Sequence, residues 1–285
     1  MRHDEGWLES ADDLRLYWRR CSPEGEVRAV LLFVHGLAEH SGRYVHVMEF
    51  FAERGFDCWA VDYRCHGKSP GLRVHIDRFD EFLADIGAAR RHVRSENPDP
   101  PFYLIGHSQG GLLVLRNTLD QPEGLDGVIV SSPFVGLHPD AAPPAPLQVV
   151  ANIVSTFLPK QMFSKVAEPS YLSRDPRVAE AYLADPMVSS TVSARWFTEV
   201  QKAQAETRAR APRLSVPTLV MQSGDDRLAD PAATRSWAAH APAELVDYVE
   251  WEGFYHEMFN EPEQVEVFER MMKWLDSQLA DLPTS

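Results

Sequence analysis

Cysteine is scarce in this sequence. Cys21, Cys58 and Cys65 are the three in 285 residues, too few for a disulfide framework, and they fit a reducing compartment. Positive charge is also short: 28 Lys and Arg stand against 42 Asp and Glu, a net charge of −14. That balance argues against nucleic acid as a partner and against steady binding to an anionic membrane. No apolar run approaches the ~20 residues that a membrane span needs. The opening Met1-Arg2-His3-Asp4-Glu5 is polar and acidic and carries no visible signal peptide. Neither a G-x-G-x-x-G nor a P-loop occurs. Cys65-His66 has no partner ligands, and His35, His40 and His46 lack a matching carboxylate pattern, so no metal is expected. No repeat or charged low-complexity tract is evident. The expectation is a cytoplasmic protein with no cofactor, no metal and no nucleic-acid partner.

What the chain does have is a rhythm of strands and helices. Gly6 to Trp18 reads as a hairpin turning at Asp12-Asp13. Ala29 to Val34 is a continuous apolar run, as in a strand buried on both faces. A helix from about Ser41 to Arg54 follows, stopped by Gly55. Phe56 to Val61, Phe102 to Ile105 and Val128 to Val130 are further strands, separated by helices from about Phe79 to Ser95 and up to about Leu119. Parallel βαβ units of this kind build an α/β fold, a mostly parallel central sheet with helices on both faces.

The rhythm breaks from Phe134 to Pro212, where no buried strand is evident and the patterns are helical. It resumes with a strand at Pro217 to Met221, a helix at Pro231 to His240, a strand at Leu245 to Trp251 and a helix at Pro262 to Leu279. Residues 1–133 and 213–285 are therefore expected to form the core. Residues 134–212 are expected to form a helical cap inserted after the sixth strand, over the strand ends where α/β proteins bind ligands. No charged residue lies between Asp140 and Lys160, and Leu147, Val150, Ala151, Ile153, Val154, Phe157 and Leu158 recur at helical spacing. Gln148, Asn152 and Ser155 mark an uncharged polar face. Such a helix either packs on the core or is a mobile lid that lines an acyl tunnel or transiently touches a lipid surface, with the protein then peripheral to a membrane. Ile153 and Phe157 are the substrate-contact candidates of the second reading.

The organising stretch is Gly106-His107-Ser108-Gln109-Gly110-Gly111, between a strand and the apolar start of a helix. A serine with glycine two residues to either side, turning strand into helix, is the nucleophile elbow. Serine is a weak nucleophile alone and needs a base, which in turn needs an orienting acid. On this elbow the partners follow in the order serine, acid, histidine. Pro217 to Met221 runs into Gly224-Asp225-Asp226, and Leu245 to Trp251 runs into Tyr255-His256-Glu257. Ser108, Asp226 and His256 thus stand at successive strand ends in that order. Asp225 is the rival acid, while Asp230 before Pro231 is better read as a helix N-cap. The backbone N–H of Gln109 and that of Leu37, in the loop after Val34, are the candidate oxyanion donors. His35 is read as a histidine that bonds the loop backbone.

These residues together resemble the monoacylglycerol lipase/lysophospholipase group of α/β-hydrolases. His35-Gly36-Leu37-Ala38-Glu39-His40-Ser41-Gly42-Arg43-Tyr44 is close to that group's H-G-x-x-E-H-S-x-R-Y signature. Asp62-Tyr63-Arg64-Cys65-His66-Gly67-Lys68-Ser69 resembles its D-x-R-G-H-G-x-S loop, with Cys65 where glycine is usual. The elbow resembles G-H-S-M-G-G, with Gln109 in place of methionine. The resemblance implies hydrolysis of an ester of one acyl chain, monoacylglycerol foremost, with lysophospholipid and simple carboxylesters as alternatives. It favours Asp226 as the acid. It also implies that Tyr182, in Tyr182-Leu183-Ala184-Asp185-Pro186, faces the polar head of the substrate. Arg43 and Glu39 of the signature join it as substrate-binding candidates. A peptidase would use carboxylates such as Glu39 or Glu257 to hold an α-amino group. An acyltransferase on the same three residues, or a non-catalytic binding protein, completes the alternatives.

Overall fold

The computed structural model describes residues 1–164 and 168–282. Strands β1 (Arg2–Glu9) and β2 (Arg15–Ser22) form an antiparallel hairpin. β3 (Ala29–Val34), α1 (Val45–Ala52), β4 (Phe56–Asp62), α2 (Asp80–Glu96), β5 (Phe102–His107), α3 (Gln109–Asp120) and β6 (Gly127–Ser131) follow. After an inserted segment come β9 (Thr218–Ser223), α7 (Pro231–His240), β10 (Val246–Trp251) and α8 (Gln264–Asp281). The strands lie in the order β1-β2-β4-β3-β5-β6-β9-β10. From β4 to β10 all neighbours are parallel, and β2 joins β4 antiparallel.

β3 shows why its sequence is apolar without alternation. Val30, Leu32 and Val34 face one core cluster, with Phe82, Ile86 and Leu112. Ala29, Leu31 and Phe33 face the other, with Phe51, Phe268 and Trp274. Helices cover both faces, so every side chain of the strand is removed from water. At roughly 25 cal/mol per Å² of apolar area, such fully buried strands supply much of the driving force for folding.

The chain runs from β3 outward to β4, then returns to add β5 on the other side of β3. The loops that leave β3 and β5 therefore diverge from adjacent strands, the topological switch point of the sheet. Register keeps these strand ends level, since Val34 is opposite Gly106. The His35-Gly36-Leu37 loop and Ser108 are thus neighbours because of strand order.

The inserted segment holds α4 (Ala145–Phe157), β7 (Met162–Ser164), α5 (Pro176–Ala184), β8 (Thr191–Ser193) and α6 (Ala194–Ala209). β7 and β8 form a short antiparallel pair, so the segment is not purely helical as expected. Three-residue strands 26 residues apart carry no periodic signal. The expected helix from Ser41 also divides. Ser41–Tyr44 is a tighter turn held by Asp62, which accepts the Ser41 N–H at 2.7 Å, and α1 begins only at Val45.

The apolar stripe of α4 faces outward. Leu147, Val149, Val150, Ile153, Phe157 and Leu158 are more than half exposed. Ser155, from the polar face, is the side turned inward, and its hydroxyl meets Thr198 of α6 at 2.7 Å. Packing of the stripe on the core is thereby overturned. Among the described residues no helix is long and apolar enough to cross a membrane.

Candidate active site

The elbow puts Ser108 between β5 and α3 at φ 52° and ψ −118°, a conformation rarely adopted outside glycine. The bend is imposed by its neighbours. A Cβ on Gly106 would overlap the Gly110 carbonyl, and one on Gly110 would overlap the carbonyl oxygens of Val34 and His35. Ser108 is further pinned by its N–H, which donates to the Ser131 carbonyl at 2.9 Å, and by its own carbonyl, which accepts from Leu112 and Phe134.

His256 Nε2 lies 2.8 Å from Ser108 Oγ, and its Nδ1 lies 2.7 Å from Asp226 Oδ2. Asp226 is buried, and its other oxygen accepts the N–H groups of Leu228 and Ala229 at 2.8 and 3.0 Å. Asp225 is exposed, with its side chain outside this chain of contacts. Asp230 caps α7 through the Ala232 N–H. Burial pulls the His256 pKa down, but the charge and hydrogen bond of Asp226 outweigh it and leave the pKa above the ordinary 6.5. His107, whose ring centre is 4.8 Å from that of His256, is pushed to about 4 by burial and by the positive charge His256 carries when protonated. It stays neutral at ordinary pH.

The inserted segment reaches this histidine. His256 N–H donates to the Tyr171 carbonyl at 3.3 Å, and Glu257 N–H donates to the Leu172 carbonyl at 2.7 Å. Tyr171 and Leu172 were not legible as site residues, because backbone contacts leave no residue-type signature.

The two candidate oxyanion donors are Gln109, next to Ser108 in the chain, and Leu37, which lines the same cavity as Ser108. The N–H of Gln109 opens α3, where first-turn donors have no intrahelical acceptor and the helix dipole is positive. The N–H of Leu37 has no hydrogen-bond partner among the described residues. The loop that carries it is fastened by Glu39, which accepts from Gly36 N–H at 2.6 Å and from the Tyr44 hydroxyl at 2.7 Å. His35 Nδ1 sits 2.8 Å from the Gly36 carbonyl, the backbone bond expected of it.

Two cavities adjoin. A narrow one of about 70 Å³ includes Ser108, His256, Glu39, Glu257 and Tyr182 in its walls. A larger one of about 510 Å³ includes Trp196, Phe197 and Val200 of α6. Leu37, Phe134, Leu137, Ala141 and Leu228 border both.

Tyr182 is buried over Arg43, with its ring centre 5.1 Å from the guanidinium carbon. Arg43 itself is consumed by two carboxylates. It donates to Glu39 at 2.5 Å and, bidentately, to Glu257 at 2.7 and 2.7 Å. It lines neither of these two cavities but borders a small third one with Tyr44, His107 and Glu257, and its contacts join the loops that carry the site. Burial would raise the Glu39 pKa, but Arg43, His107, His35 and the Tyr44 hydroxyl together hold it at about 2. Glu39 forms cavity wall with both oxygens already bonded. Ile153 and Phe157 border neither cavity and lie on the exposed face of α4. Helical spacing gives the stripe but not the side it faces. Among the described residues no three His, Cys, Asp or Glu are placed to hold a metal ion.

The chain is similar to known proteins. Residues 25–263 match the family described as Serine aminopeptidase, S33. A monoacylglycerol lipase of Mycolicibacterium smegmatis is 32% identical over 267 residues, which cover 93% of this chain and 94% of that protein. A phospholipase of Bacillus subtilis is 31% identical over 256 residues, covering 88% and 96%. The crystal structure of a monoacylglycerol lipase from Paleococcus ferrophilus superposes with a TM-score of 0.80 at 28% identity, covering 98% of this chain and all of that one. On this agreement the chain belongs to that family, as a serine hydrolase of the α/β-hydrolase fold similar to monoacylglycerol lipases.

Proposed function

We propose that the protein hydrolyses esters of a single acyl chain, monoacylglycerol foremost, through an acyl-enzyme on Ser108. It is a carboxylic ester hydrolase; the head group and the residues that act are our reading. The observation that carries it is the unbroken relay from Ser108 through His256 to Asp226, at 2.8 and 2.7 Å, opening onto a wall of apolar side chains.

His256 Nε2 takes the Ser108 proton as Oγ attacks the ester carbonyl. The N–H groups of Leu37 and Gln109 hold the oxyanion, and His256 returns the proton to the departing glycerol oxygen. Water then repeats the sequence on the acyl-enzyme. Asp226 keeps the proton on Nδ1 of His256, so that Nε2 is free to act as base. The larger cavity takes the acyl chain, and the narrow one takes the alcohol beside the Tyr182 hydroxyl. Residues 134–212 act as a lid, and the exposed stripe of α4 makes transient contact with the lipid surface from which substrate is drawn.

A peptidase reading meets an obstacle. The carboxylates of the narrow cavity, Glu39 and Glu257, are both paired with Arg43, so neither is free to hold an α-amino group. The test is initial rates on matched decanoyl esters of glycerol, of lysophosphatidylcholine and of p-nitrophenol, beside an aminoacyl anilide. A preference in kcat/KM for the glycerol ester is expected. Turnover of the anilide alone would overturn the assignment, and a preference for the lysophospholipid would replace the head group.

A further inference from the structure

Gln109 has a side chain as well as a backbone N–H, and that side chain is fully buried. Its Oε1 accepts from Trp196 Nε1 of α6 at 2.7 Å. Its Nε2 donates to the Tyr63 hydroxyl at 3.0 Å, and that hydroxyl donates to the Gly36 carbonyl at 2.8 Å. The direction of every bond is forced. An indole nitrogen can only donate, so the amide oxygen must face Trp196. The amide nitrogen must then face Tyr63, which leaves the phenol proton for Gly36.

The end of this chain is the informative part. The Gly36 carbonyl and the Leu37 N–H belong to one planar trans peptide, so they point in opposite directions. Holding the carbonyl from behind therefore aims the N–H at the cavity in front. His35 Nδ1 lies 2.8 Å from the same carbonyl, and its ring stacks on Tyr63 with centres 4.2 Å apart. Donation to the carbonyl also polarises the peptide and strengthens its N–H as a donor. A methionine at position 109 would make none of these bonds.

We infer that the Gln109 side chain is a positioning group for the oxyanion site: it links Trp196 of the inserted segment, through Tyr63, to the peptide that presents the Leu37 N–H. One residue thus supplies one oxyanion donor from its backbone and aims the other with its side chain. Trp196 also borders the larger cavity, so the lid and any acyl chain beneath it bear on the same peptide. The inference rests on the proposal that Leu37 and Gln109 hold the oxyanion.

The test is Gln109→Met, Tyr63→Phe, the double variant and Trp196→Phe, with kcat and KM on a decanoyl ester. Each rate is divided by the sites titrated with a fluorophosphonate, so that a misfolded fraction does not count. Inhibition by a decanoyl trifluoromethyl ketone, whose adduct carries an oxyanion, is measured alongside. Removing an oxyanion donor outright costs about 10²–10³ in kcat, and a donor left in place but unaimed is expected to cost about tenfold. Gln109→Met and Tyr63→Phe should each lower kcat by that factor with KM within about twofold, and weaken the ketone in proportion. The double variant should be no worse than Tyr63→Phe, because both cut one chain. Trp196→Phe should lower kcat and weaken the ketone together. Wild-type kcat per site in Gln109→Met, or additive losses in the double variant, would overturn the inference. Wild-type behaviour of Trp196→Phe would overturn the link to the lid. A wild-type protein that takes no label at Ser108 would overturn the underlying site assignment instead.

Discussion

Replacing Arg43 with methionine removes the cation that Glu39 and Glu257 share. Arg43 and both carboxylates are largely shielded from water, at 13%, 4% and 5% side-chain exposure. The loss can be sized in two ways. Removing one partner of a buried ion pair typically costs about 3–5 kcal/mol, because the other charge is left buried and unpaired. Independently, a Glu39 pKa held at about 2 against 4.5 corresponds to roughly 3 kcal/mol of preference for the charged form in the folded state. The sign with pH follows. In the wild type, a depressed carboxylate pKa contributes stability that is present above about 4.5 and is lost as pH falls toward about 2. In Arg43→Met, burial without the cation raises the Glu39 pKa, so the variant gains stability as pH falls from neutrality. Urea unfolding of both proteins at about pH 7.5 and about pH 5.5 would read this as a gap of about 3–5 kcal/mol that narrows in acid. A gap below about 1 kcal/mol at neutral pH, or one that widens in acid, would refute the reasoning.

Three further outcomes are expected. Asp226→Asn should lower kcat by about 10³–10⁴ and move the acid limb of kcat/KM to lower pH, since Asp226 is what raises the His256 pKa; Asp225→Asn, at an exposed position, should leave the profile unchanged. Phe157→Asp, at a side chain 78% exposed, should alter stability by no more than about 0.5 kcal/mol and spare turnover of a water-soluble ester, while slowing hydrolysis of the same acyl group presented in vesicles. Gly110→Ala should cost about 3 kcal/mol or more by urea unfolding, because the β3 backbone that its Cβ would strike is buried and cannot withdraw.

The sheet was legible because strands buried on both faces are written as unbroken apolar runs, as in Ala29 to Val34. The order of Ser108, Asp226 and His256 was legible because each follows such a run directly. The hairpin was legible only from Gly6, and Arg2 to Glu5 of β1 were not, since β1 is a mostly exposed edge strand and those four residues are all polar or charged. Arg43 looks like an available cation in a signature loop, and nothing in the sequence says that Glu257, 214 residues away, will pair with it bidentately. Trp196 and Tyr63 were silent for the same reason. The one trace of their connection was Gln109, a polar residue where the resembled motif has methionine.

Exposure to a fluorophosphonate, followed by intact mass and peptide mapping, tests the central claim most directly. The wild type should gain one adduct, on the peptide that contains Ser108, and lose ester hydrolysis in step with its formation. Ser108→Ala should gain none and turn over no ester while unfolding like the wild type. An adduct on another residue, or ester turnover that survives in Ser108→Ala, would contradict the assignment of Ser108 as the nucleophile.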